Sequence, residues 1–228
     1  MGFELLPATK EDFKFFIPPL FKAMGLAHFV ATLWPDNQTE QGQQRAIERF
    51  MAEMDGHPGI RWIKAVDTTA TEADGSPKIV GVAQWAVFEA SKTYREVPYY
   101  APDDIWPNEL EKDYAIHLWE SYIQPRRKVL REDTLPVANL QILCVWPEYR
   151  KRGAGGQLVD WGNRMADELN AVCVVEASGM GQPLYEKFGY EVQELVGLKD
   201  DARFNHRMDG TIHRFMMRAR QVAAQSSQ

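Results

Sequence analysis

Between an apolar run ending at Val145 and an amphipathic stretch beginning near Leu158 lies Trp146-Pro147-Glu148-Tyr149-Arg150-Lys151-Arg152-Gly153-Ala154-Gly155-Gly156-Gln157. Three consecutive cations, followed by four residues with almost no side chain, suit an anion held by charge and by backbone N–H groups. The small residues open an expected helix, so its free N-terminal donors and the positive end of its dipole face that anion. Each such dipole contact contributes about 0.3–1 kcal/mol at an exposed site. Arg150, Lys151 and Arg152 add full charges. A pyrophosphate fits this set.

Spacing separates the loops that bind one. A Walker loop needs Lys and then Ser or Thr after its last glycine, where this chain has Gln157 and Leu158. A dinucleotide fingerprint needs a third glycine at Leu158 and starts directly after its strand, whereas seven residues separate Val145 from Gly153. Glu176, at the end of the next expected strand, keeps that alternative open as a weak fit. The remaining pattern, Arg150-x-x-Gly153-x-Gly155, resembles the Gln/Arg-x-x-Gly-x-Gly/Ala signature of the GNAT N-acetyltransferases. The Val-x-Pro-x-Tyr-Arg run from Val145 to Arg150 precedes it. Thirty residues beyond Gly155, Leu184-Tyr185-Glu186-Lys187-Phe188-Gly189-Tyr190 resembles the family's second signature. The likeness is specific over 140–190 and topological before that.

This resemblance implies acetyl-CoA as the cofactor and an amine as the acceptor. It implies that backbone groups of Leu143, Cys144 and Val145 hold the pantetheine amides. It places the pyrophosphate on Arg150, Lys151, Arg152, Gly153, Ala154, Gly155 and Gly156. Ser178 stands near a position where the family often carries Asn against the cofactor. The Gly-rich run through Gly181 departs from the family's pattern.

Acyl transfer to an amine removes a proton from the nucleophile and returns one to the departing thiolate. An amine with a pKa of about 10.4 is neutral only about once in 2,500 molecules at pH 7, about 4.6 kcal/mol of deprotonation. Tyr185 occupies the family's position for the acid that protonates the thiolate. Glu176 is the candidate base, with a solvated strand-end acid as its plainer role. Gln141 alternates with Leu143 and could only position a water, whereas Glu89 and His117 could face the substrate, and His117 also suits packing beside Trp119 and Tyr122. The aromatics Tyr94, Tyr99, Tyr100 and Trp106, with Asp103, Asp104, Glu109 and Glu111, would suit a cationic amine. They would equally suit an acidic loop whose aromatics plug the core. No His-x-x-x-His or Cys-x-x-Cys pair occurs, so no catalytic metal is expected.

The elements that must position these residues follow from pattern and punctuation. Expected are a strand at 4–8, helices at 13–24 and 41–54, a hairpin of strands at 60–66 and 79–88, and a helix from 107 to about 130. Then come a strand at 137–145, a helix at 153–169, a strand at 171–176, a short helix at 182–188, and strands at 190–197 and 212–217. Residues 219–228 suit a frayed tail. Strands alternating with helices give an α/β (α+β) fold, with a mixed sheet and helices on both faces. The resemblance adds that the sheet is mostly antiparallel, as in the acyl-CoA N-acyltransferases. One domain over 1–228 is expected, with an insertion at about 89–137 that covers the acceptor site.

A net charge of −6 argues against nucleic acid as a partner. No run of about 18 apolar residues offers a membrane span, and Met1 to Pro7 carries no basic start before an apolar run. Cys144 and Cys173, both within apolar stretches, suit a reducing compartment. The expected protein is therefore cytoplasmic; the resemblance adds an amine-bearing small molecule as acceptor, and a monomer or homodimer is expected. A catalytically silent acyl-CoA-binding module is the alternative of another class.

Overall fold

The computed structural model describes residues 2–72, 74–89, 105–207 and 212–221. Tyr94, Tyr99, Tyr100, Asp103 and Asp104, expected beside the acceptor, lie outside them, as do residues 222–228 of the expected tail. In chain order the elements are β1 (Phe3–Pro7), α1 (Phe13–Met24), α2 (His28–Leu33), α3 (Glu40–Gly56), β2 (Ile60–Thr71), β3 (Pro77–Phe88), α4 (Glu109–Tyr122) and α5 (Gln124–Glu132). They continue with β4 (Val137–Val145), α6 (Ala154–Glu168), β5 (Val172–Ala177), α7 (Gln182–Glu186), β6 (Glu191–Val196) and β7 (His213–Arg218). The seven strands form one sheet in the order β1-β2-β3-β4-β5-β7-β6. Only β4 and β5 run parallel among these neighbours. This is the mixed, mostly antiparallel sheet that the pattern and the resemblance together predict.

Successive strand residues face opposite sides of a sheet, and β3 shows what covers each. Gln84 is buried and donates to Glu53 of α3 at 3.3 Å. Trp85 packs under α6, where a Cβ on Gly162 would lie 2.0 Å from its indole. Helices α3 and α6 therefore sit on opposite faces. The stripe Leu158, Val159, Gly162 and Ala166 carries α6 down onto β3 and β4. Asn170, at φ 52°, then ends the run in the left-handed conformation that Asn tolerates. A smaller apolar cluster, Leu130, Val137, Val172, Val174, Val196 and Phe215, seats α5 on the sheet.

Two expectations are corrected. The helix expected over 107–130 is two helices, with Ile123 closing α4 and opening α5. Pro125 lacks an N–H and cannot continue α4, but it suits the first turn of a new helix. The hairpin loop expected over 67–78 is shorter. Its threonines extend β2 to Thr71, and the turn closes at Gly75 with φ 86°. The six-residue α2 lacked enough periods to show in the sequence.

Candidate active site

Strands β4 and β5 pair from Val137↔Val172 to Leu140↔Val175 and no further. On its other edge β4 stays paired to β3 out to Gly81↔Val145. The two parallel strands therefore part, and residues 141–145 present backbone N–H and C=O groups that no β5 ladder satisfies. A register shift marks the parting: Gln84 pairs with Ile142 and Trp85 with Leu140, leaving Gln141 as the extra residue of a bulge on β4. Such a bulge bends its strand and sharpens the local twist.

A cavity of 1790 Å³ runs through this opening. Leu143, Cys144 and Val145 line it from β4, Ser178 and Tyr185 from beyond β5, and Arg150, Lys151, Gly153, Gly155 and Gly156 from the loop into α6. Lys151 at φ 60° and Gly153 at φ 99° both take the left-handed conformation, which wraps the backbone into a tight turn before the helix. Gly153 caps α6 without a side chain. An added Cβ on Gly155 or Gly156 would meet only Leu184 and Val145 or Phe188, at 3.5–3.6 Å. Anything longer would fill the cleft. These features fit a pyrophosphate followed by an extended amide-bearing chain.

Two predicted binding residues stand apart from the lining. Arg152 turns to the Tyr149 ring, 5.4 Å from its centre. Ala154 is buried beneath the first turn of α6, so its side chain is part of the core. Arg150 Nε donates to the Val145 carbonyl at 3.1 Å, tying the loop to the end of β4. The Ser178 hydroxyl accepts from Gly181 N–H at 3.2 Å, so it shapes the turn into α7 as well as facing the cavity. Burial pushes the Cys144 thiol up to about 11, which leaves it a poor nucleophile beside the cleft.

Tyr185 is 6% exposed, and its hydroxyl has no hydrogen-bond partner among the described residues. Burial pushes this phenol up, so it keeps its proton throughout the neutral range. Glu176 also lines the cavity but is not the solvated strand-end acid that its position allowed, since its side chain is 2% exposed. Burial raises its carboxyl, while Arg126 and then Asn139 pull it back toward the charged form. Tyr122 donates from its hydroxyl to the Glu176 carbonyl at 2.9 Å. His213 packs edge-on against Tyr122 with ring centres 4.7 Å apart, and burial with the nearby Arg214 holds it down at about 4, hence neutral.

The other residues weighed for the acceptor side divide. Gln141 lines the cavity. Glu89 is exposed and outside the lining. His117 meets the Lys199 carbonyl at 3.0 Å and stacks on Phe204, which makes it a structural tie. Glu111 forms a two-pronged pair with Arg207, and the Trp106 indole donates to the Thr32 carbonyl. Sequence reasoning missed Arg126, Tyr122 and His213. A signal for Arg126 existed: Pro125 starts a helix, and Arg126 then shares a face with Leu130.

Residues 121–192 match the model of the acetyltransferase (GNAT) domain family. Over that segment the chain is similar to the GNAT acetyltransferases. The matched segment runs from the end of α4 through the opening and the glycine-rich turn to the start of β6. An uncharacterised N-acetyltransferase of Schizosaccharomyces pombe is 33% identical over 63 residues, 28% of this chain and 27% of that protein. The match thus spans about a quarter of that relative's length. A mosquito arylalkylamine N-acetyltransferase-like structure covers 95% of this chain and 99% of its own at 13% identity, with a TM-score of 0.62. The polyamine N-acetyltransferase of Drosophila melanogaster, which forms N-acetylagmatine, covers 95% and 97% at 13% identity, with a TM-score of 0.59. At these identities the likeness is one of GNAT fold. The strands that form the sheet's first half, and His213, lie outside the matched segment.

Proposed function

We propose that the protein is an acetyl-CoA-dependent N-acetyltransferase that moves the acetyl group directly to an amine on a small molecule. The observation that carries this is the parting of β4 and β5 after Leu140 and Val175, with the glycine-rich turn into α6 at its mouth. Acetyl-CoA would lie with its pyrophosphate on 150–156 and its amides along 143–145. It supplies the activated acyl group and the thiolate that leaves.

The chain's own residues then divide the proton work. Glu176 takes the proton that the attacking amine must lose. Its burial keeps the carboxylate more basic than a solvated one, and a base tuned upward in this way works closer to neutral pH. Tyr185 gives a proton to the departing sulfur, its phenol being fully protonated beforehand. The acceptor enters from the side of the insertion, where Trp119, Tyr122 and Ile123 line the cavity, and Phe29 faces them from α2 with its ring centre 4.2 Å from that of Tyr122. Aromatic walls and a buried carboxylate suit an amine on an apolar body. The two buried, free cysteines accord with a reducing compartment such as the cytoplasm. No helix of the described residues is long and apolar enough to cross a membrane.

The test is thiol release from acetyl-CoA across a panel of arylalkylamines, polyamines and amino acids. At least one amine should accelerate release well above hydrolysis and gain the mass of an acetyl group. Tight CoA binding with no amine-dependent release from any of them would instead make the protein an acyl-CoA-binding module.

A further inference from the structure

Arg126 has no place in this division of labour, although it is among the most completely buried charges described. With Pro125 in the first turn of α5, Arg126 and Leu130 share one face of that helix. Leu130 packs into the apolar cluster of Val137, Val172, Val174 and Phe215, and Arg126 enters the sheet beside it. Its Nη1 donates to Asn139 Oδ1, and Asn139 Nδ2 donates to the Val174 carbonyl at 3.3 Å. Its Nε stands 3.3 Å from Glu176 Oε1, and its guanidinium lies 5.8 Å from the centre of the Trp119 ring.

A buried ion pair adds little net stability, because desolvation offsets attraction; what it does fix is the relative placement of its two groups. Here the contact at Glu176 Oε1 lacks the alignment of a hydrogen bond. The charge is compensated while a lone pair stays uncommitted. A carboxylate saturated by donors would accept a further proton poorly.

We infer that Arg126 is the positioning residue for Glu176: anchored by Asn139, its guanidinium holds the carboxylate where β4 and β5 separate, charged and free to take the acceptor's proton. This rests on the proposed acetyl transfer with Glu176 as base. The other titratable groups lining this part of the cavity are Tyr122 from α4, Tyr185 from α7 and His213 from β7, all kept neutral at pH 7. Arg126 is therefore the largest influence opposing the rise that burial imposes on Glu176. Without it, the carboxyl must bind a proton at higher pH.

Glutamate labelled with ¹³C at the side-chain carboxyl gives a titration that needs no acceptor, with the Glu176 signal assigned by its loss in Glu176→Gln. In Arg126→Met the proton affinity of Glu176 should rise about 10- to 1,000-fold, the range for removing an adjacent opposite charge. In Arg126→Lys it should stay within about threefold of wild type, because the charge is kept. With phenethylamine as acceptor probe, the acid limb of kcat should move to higher pH in Arg126→Met. Arg126→Lys should lower kcat about tenfold without moving that limb, since an ammonium cannot span Asn139 and Glu176 as the planar fork does. A purely structural lesion would lower kcat equally at every pH. An unchanged Glu176 titration in folded Arg126→Met overturns the inference. If that variant does not fold, wild-type kcat in Arg126→Lys overturns it. Absence of any amine-dependent thiol release in wild type would overturn the proposed function instead, and the titration would still decide whether Arg126 holds the carboxylate.

Discussion

Tyr185 enters the cleft from a helix of five residues, its ring centre 5.8 Å from that of Tyr190 and its hydroxyl unpartnered among the described residues. Replacing it with Phe keeps the ring and its packing, so stability should stay within about 1 kcal/mol. CoA affinity should also hold. With a slow acceptor, so that chemistry limits the rate, kcat should fall about 10²- to 10⁴-fold, the usual contribution of a positioned proton donor. Wild-type kcat in Tyr185→Phe would reduce the residue to packing, and an equal loss in kcat and CoA affinity would make it a binding hydroxyl. The proposed role of this side chain rests on its place in a motif. That of Glu176 was legible only as a position: the strand-end location allowed a solvated acid, and its burial depends on α5, which covers it from a segment about fifty residues earlier in the chain.

At the scale of elements, the close approach of α6 to β3 seats the helix that follows the glycine-rich turn. A Cβ on Gly162 would lie 2.0 Å from Trp85 Cε2 and 2.2 Å from Cζ2, in a site where the buried indole has no room to retreat. Gly162→Ala should therefore destabilise the fold by about 1–3 kcal/mol despite the better helix propensity of Ala. Urea unfolding should show this as a lower midpoint with an unchanged slope. A variant as stable as wild type would mean that α6 rides higher on the sheet. Strand β4 and helix α6 were legible in the sequence because each has a strong period and clear punctuation. The break at Ile123 was signalled by Pro125, but aromatic and apolar residues on both sides of it masked the signal. The bulge at Gln141 leaves no mark in composition, since it is a property of how β4 meets β3, and it lies at the point where β4 and β5 part.

Across the whole molecule, a chain of net charge −6 places Arg150 and Lys151 at one mouth of one cavity, with the N-terminus of a 15-residue helix behind them. The mixed, mostly antiparallel sheet and the glycine-rich turn before α6 were accessible from pattern and resemblance. The far wall of the cavity was not, because α2, α4 and α5 meet there through contacts distant in sequence. The central claim is that the parted strands and the glycine-rich turn together hold CoA, and calorimetric titration of CoA into wild type and Gly155→Glu tests it most directly. A Cβ at Gly155 makes only ordinary contacts, so the variant should fold, with its carboxylate set in the path of the pyrophosphate. Wild type should bind CoA saturably at one site per chain, and Gly155→Glu should bind at least about 100-fold more weakly, as expected for an unpaired like charge in an anion site. Equal affinity in the two folded proteins, or no binding by wild type, would contradict the account.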